Sequence, residues 1–243
     1  MNNEKKIDLL LQETEIVYGN EKQIHQLDWF HPNIPEQSTS GTEHSLFRIS
    51  KEAIAALYIA QRCKRTDSQE RGNADDTLPL QVDAIIETFA KKHSFWIDNT
   101  DTYFHNLYDS PISFGSESNV YLDANRKLVV KTIDTEIYGS ILKALQRFVI
   151  HNTLFPETSL NVIGFGRSQF GLFEIIAEQP YIEGRFATIE EISQELERIG
   201  AINQNGDFII GNFFISDIKP KNAIINIDKK IFIIDSYLEL LTK

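Results

Sequence analysis

The sequence is short of cysteine, of long apolar runs and of positive charge, and each shortage excludes a class of protein. A single cysteine, Cys63, among 243 residues can neither close an internal disulfide nor fill a zinc site by itself. A disulfide-stapled scaffold is excluded, and a reducing, cytoplasmic setting is the expectation. The simplest role for Cys63 is that of a small core-facing side chain. The strongest apolar stretch, residues 208–215, is broken by Gly211 and Asn212 and is far shorter than the roughly 20 residues that a bilayer span requires. The leucines at 9–11 are flanked by acids rather than by the borders of a signal peptide. With 24 Lys and Arg against 35 Asp and Glu, the net charge is −11, which gives no overall attraction to phosphate backbones or anionic lipid. Neither a membrane nor a nucleic acid is expected as a primary partner. Glycine and proline are also scarce, at 12 and 7 residues, while 42% of the chain is hydrophobic and 24% charged. That balance belongs to a folded globular chain of one large domain or two small ones.

Apolar periodicity divides the chain. Ile7, Leu10, Leu11 and Val17 predict a helix over residues 4–17, with Gly19 placed to end it. Ser50 is placed as the N-cap of a second helix over 51–63, rich in alanine and with Ile54, Leu57 and Tyr58 on one face. Residues 64–77 carry Lys64, Arg65, Asp67, Glu70, Arg71, Asp75 and Asp76 with almost nothing apolar, which reads as an exposed loop or linker and a boundary. Val82, Ile85, Ile86 and Phe89 predict a third helix over 80–92. After His93 the pattern changes to β-rich runs at 118–122, 127–133, 161–165 and 171–177, with helices predicted over 136–154 and 188–199. Thr188 and Glu191 have the spacing of a capping box. Residues 223–227 and 231–234 form a hairpin pattern around Asp228, Lys229 and Lys230, and 236–241 reads as a short final helix. The expected class is α+β, with a helical segment 1–92 before a mixed domain 93–243.

The most specific pattern is Ile215-Ser216-Asp217-Ile218-Lys219-Pro220-Lys221-Asn222 followed by Ile231-Phe232-Ile233-Ile234-Asp235. Asn222 stands five residues after Asp217, and Asp235 thirteen after Asn222. This segment resembles the catalytic loop and metal aspartate of the protein-kinase superfamily. The resemblance implies that a hairpin between the last two brings an amide oxygen and a carboxylate to one point, where they would hold Mg²⁺ on a triphosphate. Asp217 would sit beside them, to orient an attacking hydroxyl and accept its proton. Upstream, residues 113–122 resemble a nucleotide-covering turn, with Ser113, Gly115 and Ser118 at its three glycine positions and Val120 at its closing valine. Leu128-Val129-Val130-Lys131 resembles the strand that presents a phosphate-binding lysine. Glu178-Gln179-Pro180-Tyr181 resembles a hinge whose backbone hydrogen-bonds an adenine edge. More narrowly, residues 115–121, residues 151–158, and Gly164-Phe165-Gly166 with Glu178-Gln179-Pro180 are similar to the small Ser/Thr/Tyr kinase-like domains found in polyvalent proteins of phages and conjugative elements. The likeness covers about 150 residues, from Phe95 onward.

The resemblance implies a compact two-lobed fold with an N-lobe over about 93–178, a reduced C-lobe over about 184–243 and a helical N-terminal extension. It implies ATP and Mg²⁺ as cofactors and a hydroxyl acceptor on a protein or a small molecule. Gly115, Ser116 and Val120 would cover the nucleotide, and Lys131 would hold the α and β phosphates with Glu136 as its partner. Glu178, Gln179 and Tyr181 would form the adenine hinge. Asn222 and Asp235 would hold the metal, Asp217 the acceptor hydroxyl and Lys219 the transferring phosphoryl group. Several positions depart from the pattern. Ile215 and Ser216 stand where the catalytic loop has histidine and arginine, Ser236 and Tyr237 follow the metal aspartate in place of Phe and Gly, and eight residues remain after Asp235. A catalytically weak or inactive nucleotide-binding scaffold is therefore the alternative. Taken singly, Asp217 and Asn222 also read as turn residues around Pro220, Lys131 as a surface lysine on an edge strand, Gly115 as a hairpin glycine and His151 as a helix-end packing residue.

Overall fold

A computed structural model describes residues 3–18, 50–70, 78–115 and 117–241. The described residues form two compact units, one of 3–18, 50–70, 78–115, 117–145 and 161–179, the other of 146–160 and 180–241. The class is α+β, as expected.

In the first unit, α1 (Asn3–Tyr18), α2 (Lys51–Glu70) and α3 (Leu78–Lys92) precede a six-stranded sheet. Its strands are β1 (Trp96–Ile97), β2 (Ser113–Phe114), β3 (Ser118–Asp123), β4 (Leu128–Asp134), β5 (Asn161–Arg167) and β6 (Phe173–Pro180), in the order β1-β5-β6-β4-β3-β2. The alanines of α2 explain its place: Ala53, Ala55, Ala56 and Ala60 are buried with Leu57 and Ile59, and small side chains let α1, α3 and β5 approach closely. Glu13 of α1 ties the pair together, accepting hydrogen bonds from the Tyr58 hydroxyl at 2.9 Å and from Arg62 at 2.8 Å. Residues 64–70, expected in an exposed loop, instead continue α2 to Glu70. Lys, Arg, Gln and Glu are good helix formers, and a lack of apolar residues does not end a helix. The rest of that expected loop, 71–77, lies outside the described residues, as does Gly19. Cys63 is half-buried, and burial pushes its thiol up to about 11, so it stays neutral, consistent with a packing role.

A helix not anticipated from sequence, α4 (Thr100–Tyr108), covers one face of the sheet. Asn99 caps it by accepting from the Thr102 N–H at 2.9 Å. Phe104 packs with Tyr121, Val130 and Ile176, flanked by Ile97 and Tyr108. The predicted helix over 136–154 divides into a 3-10 turn (Glu136–Tyr138) and α5 (Ile141–Leu154). Gly139, with φ of 74°, ends the turn in the left-handed region that glycine enters without strain.

The second unit contains β7 (Arg185–Phe186), α6 (Ile189–Arg198), β8 (Ile202–Gln204), β9 (Asp207–Ile210), β10 (Phe213–Ser216), β11 (Ala223–Ile225), β12 (Ile231–Ile233) and β13 (Tyr237–Leu240). Four strands form an antiparallel sheet in the order β13-β10-β9-β8, and three form a second in the order β12-β11-β7. The Thr188–Glu191 capping box is present on α6 as read. The meander 202–216 was not read from sequence. The predicted final helix over 236–241 is instead β13, because pairing of Phe213↔Leu240 through Ser216↔Tyr237 along β10 decides its conformation. Among the described residues no helix is long and apolar enough to cross a membrane.

Gly164 and Gly166 let residues 95–97 lie directly on β5. A Cβ on Gly164 would stand 2.6 Å from the Phe95 carbonyl oxygen, and one on Gly166 would stand 2.5 Å from that of Ile97. Gly166→Ala is expected to lower stability by about 1–3 kcal/mol through overpacking. An unchanged Tm in thermal denaturation would show that β1 is not held against β5.

Candidate functional site

The residues singled out in the catalytic-loop pattern converge within the second unit. β10 ends at Ser216, and Asp217 turns the chain with φ of 59°, a left-handed conformation that aspartate tolerates better than most residues. Lys219 is extended and leads into a 3-10 turn (Pro220–Asn222) whose first position is proline, preset for that φ. The turn delivers Asn222, which is buried at 6% exposure. Its Nδ2 donates to the Asp217 backbone oxygen at 2.8 Å and to the Asp217 carboxylate at 2.9 Å. The Lys219 ammonium forms an ion pair with the other carboxylate oxygen. Lys219, helped by the Asn222 hydrogen bond and the Lys221 charge, holds Asp217 below its ordinary carboxylate range against the opposing effect of partial burial. Asp217 is thus ionised at neutral pH.

Asp235 is fixed from the opposite side. The Asn222 carbonyl oxygen accepts from the backbone N–H of Ile234 at 2.9 Å and of Asp235 at 3.2 Å. The β11–β12 hairpin pairs Ala223 with Ile233, which makes those contacts follow from sheet register. Thr158 also holds the end of β12, its hydroxyl donating to the Ile233 carbonyl at 2.6 Å. His151 meets the Thr158 carbonyl at 2.9 Å, and Asn152 bridges both backbone groups around Leu160. His151 is therefore a packing residue at a helix end, as read from the sequence. Thr158 closes the 151–158 run of the family likeness, but the sequence assigned it no contact.

A divalent cation fits this set in a particular way. Both Nδ2 hydrogens of Asn222 are engaged by Asp217, so the amide oxygen is the atom left for coordination. The Asp235 carboxylate is exposed. Next to it, the Ser236 hydroxyl is buried without a hydrogen-bond partner, an unsatisfied oxygen of the kind a ligand-completed site leaves. Among the described residues no group of three or more His, Cys, Asp or Glu side chains could hold a metal. Two protein donors suit Mg²⁺ whose other ligands are water and phosphate oxygens.

The upstream residues lie in the first unit, except Tyr181, which belongs to the second. Lys131 is on β4, an interior strand between β6 and β3, and is only 9% exposed, so the reading as a surface lysine on an edge strand does not hold. It stands opposite Val120 on β3 and shares that face of the sheet. Val130 and Thr132 face the other way, toward α4. Gly115 closes the β2–β3 turn, its N–H donating to the Ser118 carbonyl at 2.9 Å. Ser116 lies outside the described residues. Glu136 is exposed on its 3-10 turn, its N–H bonded to the Asp134 carboxylate at 2.9 Å. Glu178 at the end of β6 is gripped by both arms of Arg126 from the β3–β4 turn, Gln179 is buried, and Tyr181 is exposed.

The chain matches, over residues 81–242, the family described as Serine/Threonine/Tyrosine Kinase found in polyvalent proteins. The chain belongs to this family. No curated protein matches it. Membership of the polyvalent-protein kinase family makes phosphotransfer the general chemistry of the domain, and the matched region begins within α3 and takes in β1 and α4.

Sequence reading missed Glu174 on β6. Its carboxylate is buried at 5% exposure and accepts a hydrogen bond from the Thr100 hydroxyl at the start of α4. Burial pushes it up to about 7, helped by Asp101 and Asp134 and opposed by Thr100 and Thr132. The folded chain therefore keeps a proton that the unfolded chain releases above its ordinary value of 4.5. Stability from this group is present below that pH and is lost as pH rises to about 7. Glu174→Gln should gain on the wild type across that window, by on the order of 3 kcal/mol above it. Denaturant unfolding of both proteins from pH 4 to 8 tests this, and a constant difference would contradict it.

Proposed function

We propose that the chain is an ATP- and Mg²⁺-dependent kinase that transfers a γ-phosphate to a Ser, Thr or Tyr hydroxyl of a protein. The domain would be a compact two-lobed kinase from about residue 93, with a reduced C-terminal lobe and the preceding helices as an extension. The observation that carries this reading is the double attachment of Asn222, whose side chain holds Asp217 while its backbone oxygen holds Asp235. The proposed base and the backbone of the proposed metal ligand are thereby tied to one buried residue.

In this reading the acceptor hydroxyl oxygen attacks the γ-phosphorus. The bond from that phosphorus to the β–γ bridging oxygen breaks, ADP leaves, and the hydroxyl proton passes to the Asp217 carboxylate. Lys219 neutralises charge on the transferring group, and Lys131 engages the α and β phosphates. Gly115, Ser116 and Val120 cover the nucleotide, and the backbone at Glu178, Gln179 and Tyr181 meets the adenine. Glu136 is the acid assigned to Lys131. Asn222 and Asp235 would hold magnesium, which when bound would neutralise charge on the phosphate oxygens.

Mg²⁺-ATP should stabilise the wild type in thermal shift, and less so Asp235→Asn. Asp217→Asn should lose about 10²-fold or more in transfer of labelled γ-phosphate while binding ATP within about twofold of wild type, twofold being under RT in free energy. Retained transfer would remove Asp217 as the base. Nucleotide binding without transfer to any acceptor would favour the scaffold reading, which the single glycine of the covering turn also supports. Loss of the Lys219 charge lets the Asp217 pKa rise toward its ordinary value, so the acid limb of the pH–rate profile should move to higher pH in Lys219→Gln. An unmoved limb, with folding checked by circular dichroism, would show that the ion pair does not set the charge state of Asp217.

A further inference from the structure

Ile234-Asp235-Ser236 is a three-residue connector between β12 and β13, and the direction of the Asp235 carboxylate depends on how each end of it is held. The upstream end is held by the Asn222 carbonyl and by Thr158 on Ile233. The downstream end begins at Tyr237, which pairs with Ser216 immediately before Asp217. β13 is the outer strand of its sheet, so β10 secures it from one side only. Against the Tyr237 ring lies Arg147 of α5, its guanidinium 3.8 Å from the ring centroid. Both residues are half-buried, where a guanidinium on an aromatic face is less diluted by water than at the surface. The Tyr237 hydroxyl reaches the Glu239 carboxylate at 3.3 Å, so the ring is steadied at its far end as well.

We infer that Arg147 and Tyr237 are a positioning pair that sets the metal-binding geometry of Asp235, an inference that rests on the kinase reading above. The segment 146–160 then grips the connector at both ends, through Thr158 at Ile233 and through Arg147 at Tyr237. This accounts for the departure at position 237. A glycine there has no ring to offer α5, and a leucine has no π face for the guanidinium.

The test is a Mg²⁺ titration at fixed ATP, read in parallel by thermal shift, as binding, and by γ-phosphate transfer. Arg147→Ala and Tyr237→Leu should raise the Mg²⁺ midpoint about tenfold in both readouts, with little change in the ATP concentration needed at saturating Mg²⁺. Tyr237→Phe, which keeps the ring, should shift the midpoint less than twofold, and Arg147→Lys, which keeps the charge, should fall between. A merely structural role would lower the Tm of the unliganded variants and leave the midpoint in place, and that result overturns the inference. If Arg147→Ala does not fold, Arg147→Lys and Tyr237→Leu give the same ordering or contradict it. Wild-type protein that shows no Mg²⁺-dependent ATP binding removes the kinase reading and this inference together. Wild-type dependence with unshifted variants removes the inference alone.

Discussion

A buried side-chain amide must find partners for its oxygen and both hydrogens, and at Asn222 that requirement organises the loop around it. Its two hydrogens reach Asp217, once at the backbone and once at the carboxylate, which forces the chain to double back within five residues. The left-handed turn at Asp217, the extended Lys219 and the proline-initiated 3-10 turn form the path that meets this condition. The carbonyl of Asn222 then receives two N–H groups from the connector that follows the far strand of the hairpin. Removing this one amide would leave the Asp217 backbone oxygen and one oxygen of its carboxylate without the donor that holds them, which generally costs more than the bonds themselves contribute.

The first unit rests on a different constraint, which is closeness. Alanines along α2 and glycines at 164 and 166 bring backbones together where side chains would separate them. The sheet is covered on one face by α4, and the seam contains the Glu174 carboxyl bonded to the first residue of that helix. A charged group here would need partners that the apolar surroundings of Phe104, Val130 and Ile176 do not supply. The proton held by Glu174 is therefore part of how α4 is seated.

What the sequence made legible was local. Asp217, Asn222 and Asp235 stood out because their spacing resembles that of the kinase catalytic loop and metal aspartate, and the Thr188–Glu191 box because both partners lie within one turn. Misreadings came where composition and conformation disagree, as at 64–70, where polar residues form helix, or where pairing across the chain decides, as at β13. The meander 202–216 did carry signals that went unread: Asn205-Gly206 and Gly211-Asn212 are turn pairs between β-prone runs. Other features had no sequence signal to find. Nothing in a lone threonine at 158 or an arginine at 147 points to the carbonyl of Ile233 or the ring of Tyr237, because those contacts exist only once α5 is placed. The family match and the local motifs agree on the same stretch of chain, which is why the motif residues were found and their supports were not.

The left-handed backbone at Asp217 also limits which residues can occupy that position. Most side chains would carry a penalty of about 1–2 kcal/mol there, whereas Asp, Asn and Gly are admitted with little strain. Asparagine is a single step from aspartate in chemistry, keeps the turn, and still offers an oxygen to Asn222. It lacks the capacity to take a proton and the charge that pairs with Lys219. The turn can therefore lose its proton acceptor without changing shape, and a descendant of this domain with asparagine there could still present the same folded surface.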